Sequence, residues 1–347
     1  MNYDLLAQLC EKSGVSGYES EILAFIAEKI KGVCDALEYD RAGNLIAFKK
    51  GTKGSCGKKI LYSCHADEVG FVITYIEDDG KLIFDAIGMS PLVYVGRRVL
   101  IGKNKIPGII AAKPIHLLES SERDKAPEQD GLFIDIGAHT REEAEKLGVY
   151  ADFAVFDSGF ENFGEDAVKS KALDDRAGCA MLISLLERGV AYDSRFAFCT
   201  AEEIGLRGSA TVAQLVNPDI CINLECTTAG DIYGVSGAER TCITGGGAVV
   251  PFMDGSAVYH PALYRKIRAL AEKYSVPCQT KTKIAGGTDA GSYTRLAGGC
   301  ATIGIAVPTR YIHSAFGVAK KSDIDAAEKL LFAVSDNIAE LELACNK

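Results

Sequence analysis

The sequence lacks several features that would assign a protein to a class at once. None of its 12 cysteines forms a CxxC pair, which argues against a thiolate zinc finger or a thioredoxin-type site. No apolar run approaches the ~18 residues of a membrane span. The N-terminus has no basic n-region, so we expect no signal peptide and no membrane partner. Basic residues are outnumbered, 38 to 47, and the net charge of −9 disfavours nucleic acid and acidic membrane surfaces as partners.

The cysteines that are present point to a reducing compartment. Cys64, Cys179, Cys199 and Cys221 lie within apolar stretches. Thiols in such settings are usually buried and reduced, whereas disulfides belong to oxidising compartments. We therefore expect free thiols and a cytoplasmic location.

The length of the chain and the change in its secondary-structure pattern predict two domains. The 347 residues are too many for one ordinary core. After about residue 165, predicted strands and helices alternate, which is typical of an α/β sheet with helices on both faces. Between about 70 and 160 the pattern is mostly strands joined by turns. We predict a catalytic α/β domain at 1–69 and 162–347 and an inserted β-rich oligomerisation domain at 70–161.

Local patterns add detail to this outline. Residues 16–30 have the apolar spacing of a helix, and Ser16 and Glu19 have the spacing of a capping box at its start. A long closing helix is expected at 323–343. The charged stretch 119–130 is predicted to be an exposed loop.

Histidines and acids follow the ends of several predicted strands. His65 follows the strand 59–64, and Glu202 and Glu203 follow the strand 195–200. Glu225 is expected just beyond the strand 220–224, and His313 lies after a loop that follows the strand 302–306. Ligands of open α/β sheets gather at the carboxyl ends of strands, so these side chains can converge on one crevice.

A second pair of acids, Asp174 and Asp175, begins a predicted helix. Two histidines with several carboxylates suit divalent transition metals, zinc above all. A bridging carboxylate such as Asp174 could hold two metals close together. One of the adjacent glutamates could then bind metal while the other acts as a general base.

Each of these features has a commoner explanation when taken alone. A single histidine at a strand end is more often structural than a ligand, and paired acids usually form a solvated face or a helix cap. Only the joint pattern indicates a metal site. The remaining histidines lack that context, and His260 is expected at a helix start.

Six motifs occur in an order and spacing that resemble a known family. They are HADEVGF (65–71), LDDRAG (173–178), EEIGLRGS (202–209), the segment ending LECTTAGD (224–231), GGTDAGS (286–292) and PTRYIHS (308–314). The chain resembles the TET-type, or tetrahedral, dinuclear metal aminopeptidases, a glutamyl and leucyl aminopeptidase group often labelled endoglucanase- or cellulase-like. The resemblance covers essentially the whole chain. It implies a zinc-aminopeptidase-like mixed sheet flanked by helices, with an inserted small β-barrel or PDZ-like dimerisation domain.

The resemblance also implies roles for individual residues. His65, Asp174 and Glu225 would hold one metal, and Asp174, Glu203 and His313 the other. Glu202 would be the catalytic base and acid, and Asp67 would orient His65. The implied cofactors are two divalent ions per subunit, zinc or cobalt first and manganese as an alternative.

The implied activity is metal-dependent removal of N-terminal residues from short peptides by a two-metal-activated water. The implied assembly is a homo-oligomer in which dimers build a tetrahedral dodecamer.

Three departures from the family pattern leave the expected ligands in place. They are Glu225 where many relatives have aspartate, Ala201 before the glutamate pair, and the stretch 314–318.

Three rival functions stay open on the sequence. A deacylase acting on N-acyl amino acids or peptides could use the same two metals, and it would need no free amine on its substrate. A glycosidase needs two carboxylates and generally no metal, so it fits the histidines less well. A scaffold that kept the fold and lost catalysis conflicts with the complete set of five expected ligands and Glu202.

Overall fold

The computed structural model describes residues 1–121, 125–150, 152–284 and 286–341. Its α-helices are α1 Tyr3–Glu11, α2 Ser20–Ile30, α3 Pro91–Tyr94, α4 Arg141–Lys146, α5 Leu173–Arg188, α6 Arg207–Val216, α7 Pro261–Lys273, α8 Ala290–Thr294 and α9 Lys321–Asp336. Parts of the predicted loop 119–130, at 122–124, and of the predicted helix 323–343, at 342–343, lie outside the described residues.

The strands form one large sheet and one barrel. The first nine strands are β1 Ala36–Tyr39, β2 Leu45–Lys49, β3 Ile60–His65, β4 Gly70–Ile76, β5 Leu82–Ile87, β6 Arg98–Ile101, β7 Ile106–Ala112, β8 Leu132–Asp135 and β9 Phe153–Phe156. The others are β10 Glu161–Phe163, β11 Ala167–Ser170, β12 Ser194–Cys199, β13 Ile220–Thr228, β14 Ala248–Val250, β15 Cys278–Thr280, β16 Ala301–Arg310 and β17 Gly317–Lys320.

The large sheet is mixed, with a parallel centre. Its main path runs β1-β2-β12-β3-β13-β16-β17-β11-β10, and β14 and β15 pair beside β16. The neighbours β12, β3, β13 and β16 are parallel, while the outer pairs are antiparallel. Parallel strands need crossover connections, and here helices supply them. This confirms the predicted α/β class and the mixed sheet flanked by helices.

Both faces of the sheet are buried, which explains why the central strands are continuously apolar. Every residue of β3 is buried. Because neighbouring side chains of a strand point to opposite faces, Tyr62 packs in the core beside α5 and α9, whereas Leu61 packs with Val212 of α6 on the other face. Burying a side chain such as Leu61 stabilises the fold by about 1.5–3 kcal/mol. The carboxyl ends of these strands are therefore held rigidly at one edge.

The second unit is a closed six-stranded barrel, in the order β4-β5-β8-β7-β6-β9. Phe71 lies at the centre of its core, with Phe84, Tyr94 and Phe156 each at about 5.2 Å in edge-to-face contact. A small barrel was expected in this part of the chain, and it is present. The domain limits 70–161 and the role of the barrel in dimerisation stay predictions.

The expected start of the second helix is wrong. The helix begins at Ser20 with Glu19 at its N-cap, so Ser16 and Glu19 do not form a capping box. The Ser16 hydroxyl donates instead to Asp67, and the Glu19 carboxylate accepts from Gly17 and Ala201. These side chains therefore form hydrogen bonds with residues distant in the sequence instead of capping the helix.

The end of one strand also differs from the prediction. Strand β13 runs to Thr228 because it stays paired with β16 as far as Thr309, so Glu225 lies within a strand rather than beyond its end.

Among the residues described, the eleven cysteines are free, and no helix is both long and apolar enough to cross a membrane.

Candidate metal centre

A cleft of about 570 Å³ opens at the carboxyl ends of the parallel strands. The predicted ligands and the predicted base share its lining, which includes His65, Asp174, Glu202, Glu203, Glu225 and His313. Strand β3 supplies the first of these, β13 supplies Glu225, and the turn after β12 supplies the two adjacent glutamates. Residues separated by more than 200 positions in the chain therefore meet at one site.

The first group of candidate ligands is His65, Asp174 and Glu225. The Nε2 atom of His65 lies 3.3 Å from Oδ1 of Asp174 and 3.6 Å from Oε2 of Glu225. The three donor atoms all lie within 4.8 Å of one another. The Asn223 side-chain amide donates to the other oxygen of Glu225 at 3.0 Å, which leaves Oε2 turned toward the histidine. One ion could be held among these three side chains.

The second group shares Asp174 with the first and adds Glu203 and His313. The Nε2 atom of His313 lies 3.5 Å from Oε2 of Glu203 and 4.0 Å from Oδ2 of Asp174. The two oxygens of Asp174 thus face the two groups separately, as a bridging carboxylate requires. The peptide bond between Asp174 and Asp175 is cis. Asp175 is buried, and its carboxylate accepts from the amide of Gly178 in the first turn of α5.

Asp67 joins the first group to the glutamate pair. Its Oδ1 atom lies 3.5 Å from Nδ1 of His65. The same carboxylate accepts from the backbone amides of Glu202 and Glu203, at 3.0 and 3.1 Å, and from the Ser16 hydroxyl at 2.6 Å. Burial works to raise the pKa of Asp67, but the His65 ring and the hydrogen-bond donors outweigh burial and lower that pKa.

The acids of the cleft lie close to one another and are largely shielded from water. Burial raises the pKa of Glu202 to about 9 and that of Glu203 to about 8, and repulsion from neighbouring carboxylates adds to the effect. Burial likewise raises the pKa of Glu225 well above its usual value. Buried carboxylates remain ionised only beside positive charge. The donor set of two histidine nitrogens and three carboxylates therefore fits divalent cations both in chemistry and in charge.

Some residues of the site carried no signal in the sequence. Of the described residues that line the cleft, Lys281 is the one lysine or arginine, and it is only 6% exposed. Gly88, which directly follows β5 of the barrel, accepts a hydrogen bond from His313 through its carbonyl oxygen, 2.8 Å from Nδ1. Neither residue lies in a recognisable motif, and only their spatial position reveals them. His260, by contrast, caps α7 as expected.

Comparison with known proteins agrees with this geometry. A family model described as M42 glutamyl aminopeptidase matches residues 43–330. A relative from Acetivibrio thermocellus, provisionally named an aminopeptidase, is 39% identical over 332 residues, or 95% of this chain and 97% of its own.

Two solved structures are similar over nearly their whole length. An aminopeptidase from the archaeon Desulfurococcus kamchatkensis has a TM-score of 0.92 and 32% identity, covering 99% of this chain and 98% of its own. The TET1 peptidase of Pyrococcus horikoshii, described as assembling into a tetrahedron or a large octahedral shell, has a TM-score of 0.82 and 32% identity. It covers 96% of this chain and 99% of its own.

Proposed function

This chain belongs to the M42 glutamyl aminopeptidase family, and from that premise we propose that it removes N-terminal residues from short peptides with two divalent metal ions and Glu202 as general base. The observation that carries the proposal is the sharing of Asp174 by two candidate ligand groups in the cleft that Glu202 also lines. A bridging carboxylate between two such groups is the arrangement of two-metal hydrolases.

The distances within the two candidate groups support an assignment of residues to the two ions. His65, Asp174 and Glu225 would hold one ion, and Asp174, Glu203 and His313 the other. Zinc and cobalt suit this mixture of nitrogen and oxygen donors, and manganese is the alternative. When bound, the ions would supply Lewis-acid polarisation of the scissile carbonyl and would lower the pKa of the attacking water.

The proton transfers are assigned to Glu202. Its carboxylate takes a proton from the attacking water as the new C–O bond forms at the carbonyl carbon of the first residue. The C–N bond then breaks, and the Glu202 carboxylic acid returns the proton to the leaving amine nitrogen. Asp67 holds the backbone of this residue and faces His65, so it supports both the base and a ligand.

Assembly into a homo-oligomer is the second part of the proposal. Support comes from the similarity to the TET1 peptidase and from exposed apolar side chains on the barrel strands and the segments that connect them. These are Ile109 on β7, Leu92 on α3, and Ile115 and Leu117 in the segment after β7. Exposed apolar side chains of this kind favour burial against another subunit. We propose that dimers form through the barrel and build a dodecamer. Native mass spectrometry would test this, since a monomer of 37.0 kDa would contradict it.

Mass spectrometry of a peptide pool tests the activity. Each short peptide is present in two equal portions, one N-acetylated and one with a free N-terminus. The pool is incubated with the protein and zinc or cobalt. Stepwise loss of single residues from the free peptides only is the expected result. Removal of acetyl groups would favour the deacylase alternative. No change in either half, with metal shown to be bound, would contradict the proposed function.

A further inference from the structure

The backbone that carries Glu202 is held by side chains from three separate parts of the chain. Four consecutive amides, those of residues 200–203, each donate to a side-chain oxygen. The acceptors are Asn44 for Thr200 at 2.8 Å, Glu19 for Ala201 at 3.1 Å, and Asp67 for both Glu202 and Glu203. A turn whose amides are all bound in this way has little freedom to move.

Glu19 is the acceptor whose partner, Ala201, directly precedes the proposed base, and it has no place in the proposed chemistry itself. It is an N-cap residue of α2, it is 6% exposed, and it lies 182 positions from Ala201. Its Oε1 atom accepts two amides, that of Gly17 at 2.8 Å and that of Ala201 at 3.1 Å. This buried acid therefore joins two backbone segments, the one that precedes α2 and the turn that leads into Glu202.

Ala201 needs such a partner because of its backbone conformation. Its φ is +53°, in the left-handed region that residues with a Cβ atom rarely adopt. The methyl side chain of Ala201 cannot form a hydrogen bond that would hold the turn. Its amide is therefore the group through which neighbouring structure can fix the peptide unit that leads into Glu202.

We propose that Glu19 is a positioning residue for the general base, holding the turn at Ala201 so that the Glu202 carboxylate stays aligned with the scissile bond. The proposal rests on the function proposed above, in which Glu202 moves the proton. Catalysis is sensitive to small displacements of such groups, and an error of about 1 Å can cost about 100-fold in rate. Metal ligands are held by other contacts, so Glu19 would affect turnover rather than metal content.

The position of Glu19 also offers a direct physical readout. Glu19, Thr200 and Phe153 line a cleft of about 840 Å³ between α2 and the barrel, on the outer side of the turn. Water in that cleft would reach the Ala201 amide once the Glu19 side chain was shortened. Hydrogen exchange at this amide therefore reports on the contact independently of activity.

The test compares Glu19→Ala with Glu19→Gln in the full chain, with Glu21→Ala as a matched control. Glu21 is an acid in the first turn of the same helix, and it contacts Ser13 and Lys12 rather than the turn. Glu19→Ala should lower kcat about tenfold or more with KM little changed. Bound metal, measured by elemental analysis, should be unchanged, and exchange in the peptide containing Ala201 should be faster. Glu19→Gln should keep most of kcat, because its side-chain oxygen still accepts both amides.

Several outcomes would overturn the proposal. Normal kcat in Glu19→Ala with faster exchange at Ala201 would show that the contact exists but does not serve catalysis. Loss of metal in that variant would show that Glu19 acts through the ligands. Should Glu19→Ala fail to fold, Glu19→Asp gives the same test, since its carboxylate ends one methylene short of the Ala201 amide.

Glu202→Gln separates this proposal from the function on which it rests. If Glu202→Gln is inactive and Glu19→Ala is normal, only the positioning role fails. If Glu202→Gln keeps its turnover, the assignment of the base is wrong, and the positioning role falls with it. Inactive Glu202→Gln together with slowed, metal-loaded Glu19→Ala supports both.

Discussion

His313 is held by the carbonyl oxygen of Gly88, which lies 2.8 Å from Nδ1 of the imidazole ring. Gly88 belongs to the barrel and His313 to the loop after β16 of the large sheet, 225 positions further along the chain. A histidine whose Nδ1–H donates to a backbone carbonyl presents Nε2 as a ligand. The barrel thus fixes the orientation of a candidate metal ligand, whatever its role in assembly.

Substitution of Gly88 by alanine should weaken the second metal group selectively. A Cβ atom at Gly88 would lie 2.9 Å from Val69 and 3.1 Å from Oε2 of Glu203, and the φ of +71° is unfavourable for alanine. The first group does not contact Gly88. Elemental analysis of Gly88→Ala should therefore find about one ion per subunit if two are bound by the unmodified protein.

Gly96→Ala is the control for that experiment. Gly96 also has a positive φ, +77°, but a Cβ atom there would meet nothing within 4 Å. It reproduces the backbone strain of about 1–2 kcal/mol without the contact with Glu203. Equal loss of metal in both variants would mean that strain, rather than crowding of the ligand, is responsible.

Substitutions of the two adjacent glutamates should give different phenotypes. Glu203→Gln should lower metal content, because it replaces a charged ligand of the second group. Glu202→Gln should retain both ions and lose about 100- to 10,000-fold in kcat, the usual contribution of a general base. Paired measurements of metal content and kcat on the two variants test the assignment. The same metal loss in both would contradict a division of roles between the neighbours.

Asp67→Ala should affect stability and metal affinity together. The substitution leaves the amides of Glu202 and Glu203 without their acceptor in a buried site, and each lost partner costs about 1–3 kcal/mol of stability. Loss of the carboxylate beside His65 should weaken metal binding by about 10- to 100-fold. Thermal unfolding with and without added zinc would measure both effects. Ser16→Ala removes only one donor to Asp67 and should show a smaller change.

Lys281 should influence which N-terminal residue is preferred. Lys281 is a buried residue of the cleft wall, and a cation in a poorly solvated wall favours an acidic side chain. Lys281→Met should reduce kcat/KM for N-terminal glutamate relative to leucine about tenfold, or about 1.4 kcal/mol. Lys283→Met, which removes a half-exposed lysine paired with Glu239, is the matched control. An unchanged ratio in Lys281→Met would exclude this role.

The class of fold and the chemical nature of the site could be predicted from local patterns. Alternation of strands and helices indicates an α/β sheet, since apolar runs between helices have few other solutions, and the family resemblance adds that the sheet is mixed. The residues predicted as ligands also lie together in the cleft, because parallel strands bring their carboxyl ends to the same edge. His65, for example, is predicted at this edge from its position directly after a single predicted strand.

The sequence failed where a polar residue interrupts a pattern or finds a distant partner. Glu225 interrupts an apolar run and so predicts the end of a strand there. Strand β13 nevertheless continues to Thr228, because pairing with β16 outweighs the cost of one buried acid. Ser16 and Glu19 had the spacing of a capping box, yet both bond to residues more than 50 positions away. Local spacing cannot show such competition, since both arrangements satisfy the same side chains.

The sequence alone determined which residue types were available for chemistry, and the tertiary structure decided how they are held. The motifs contain the candidate histidines and acids, because these depend on the identity of each position. The hydrogen bonds from His313 to Gly88 and from Ala201 to Glu19 join segments with no local relation. Such contacts arise only when the chain is compact, since buried donors and acceptors must then find partners wherever the fold brings them.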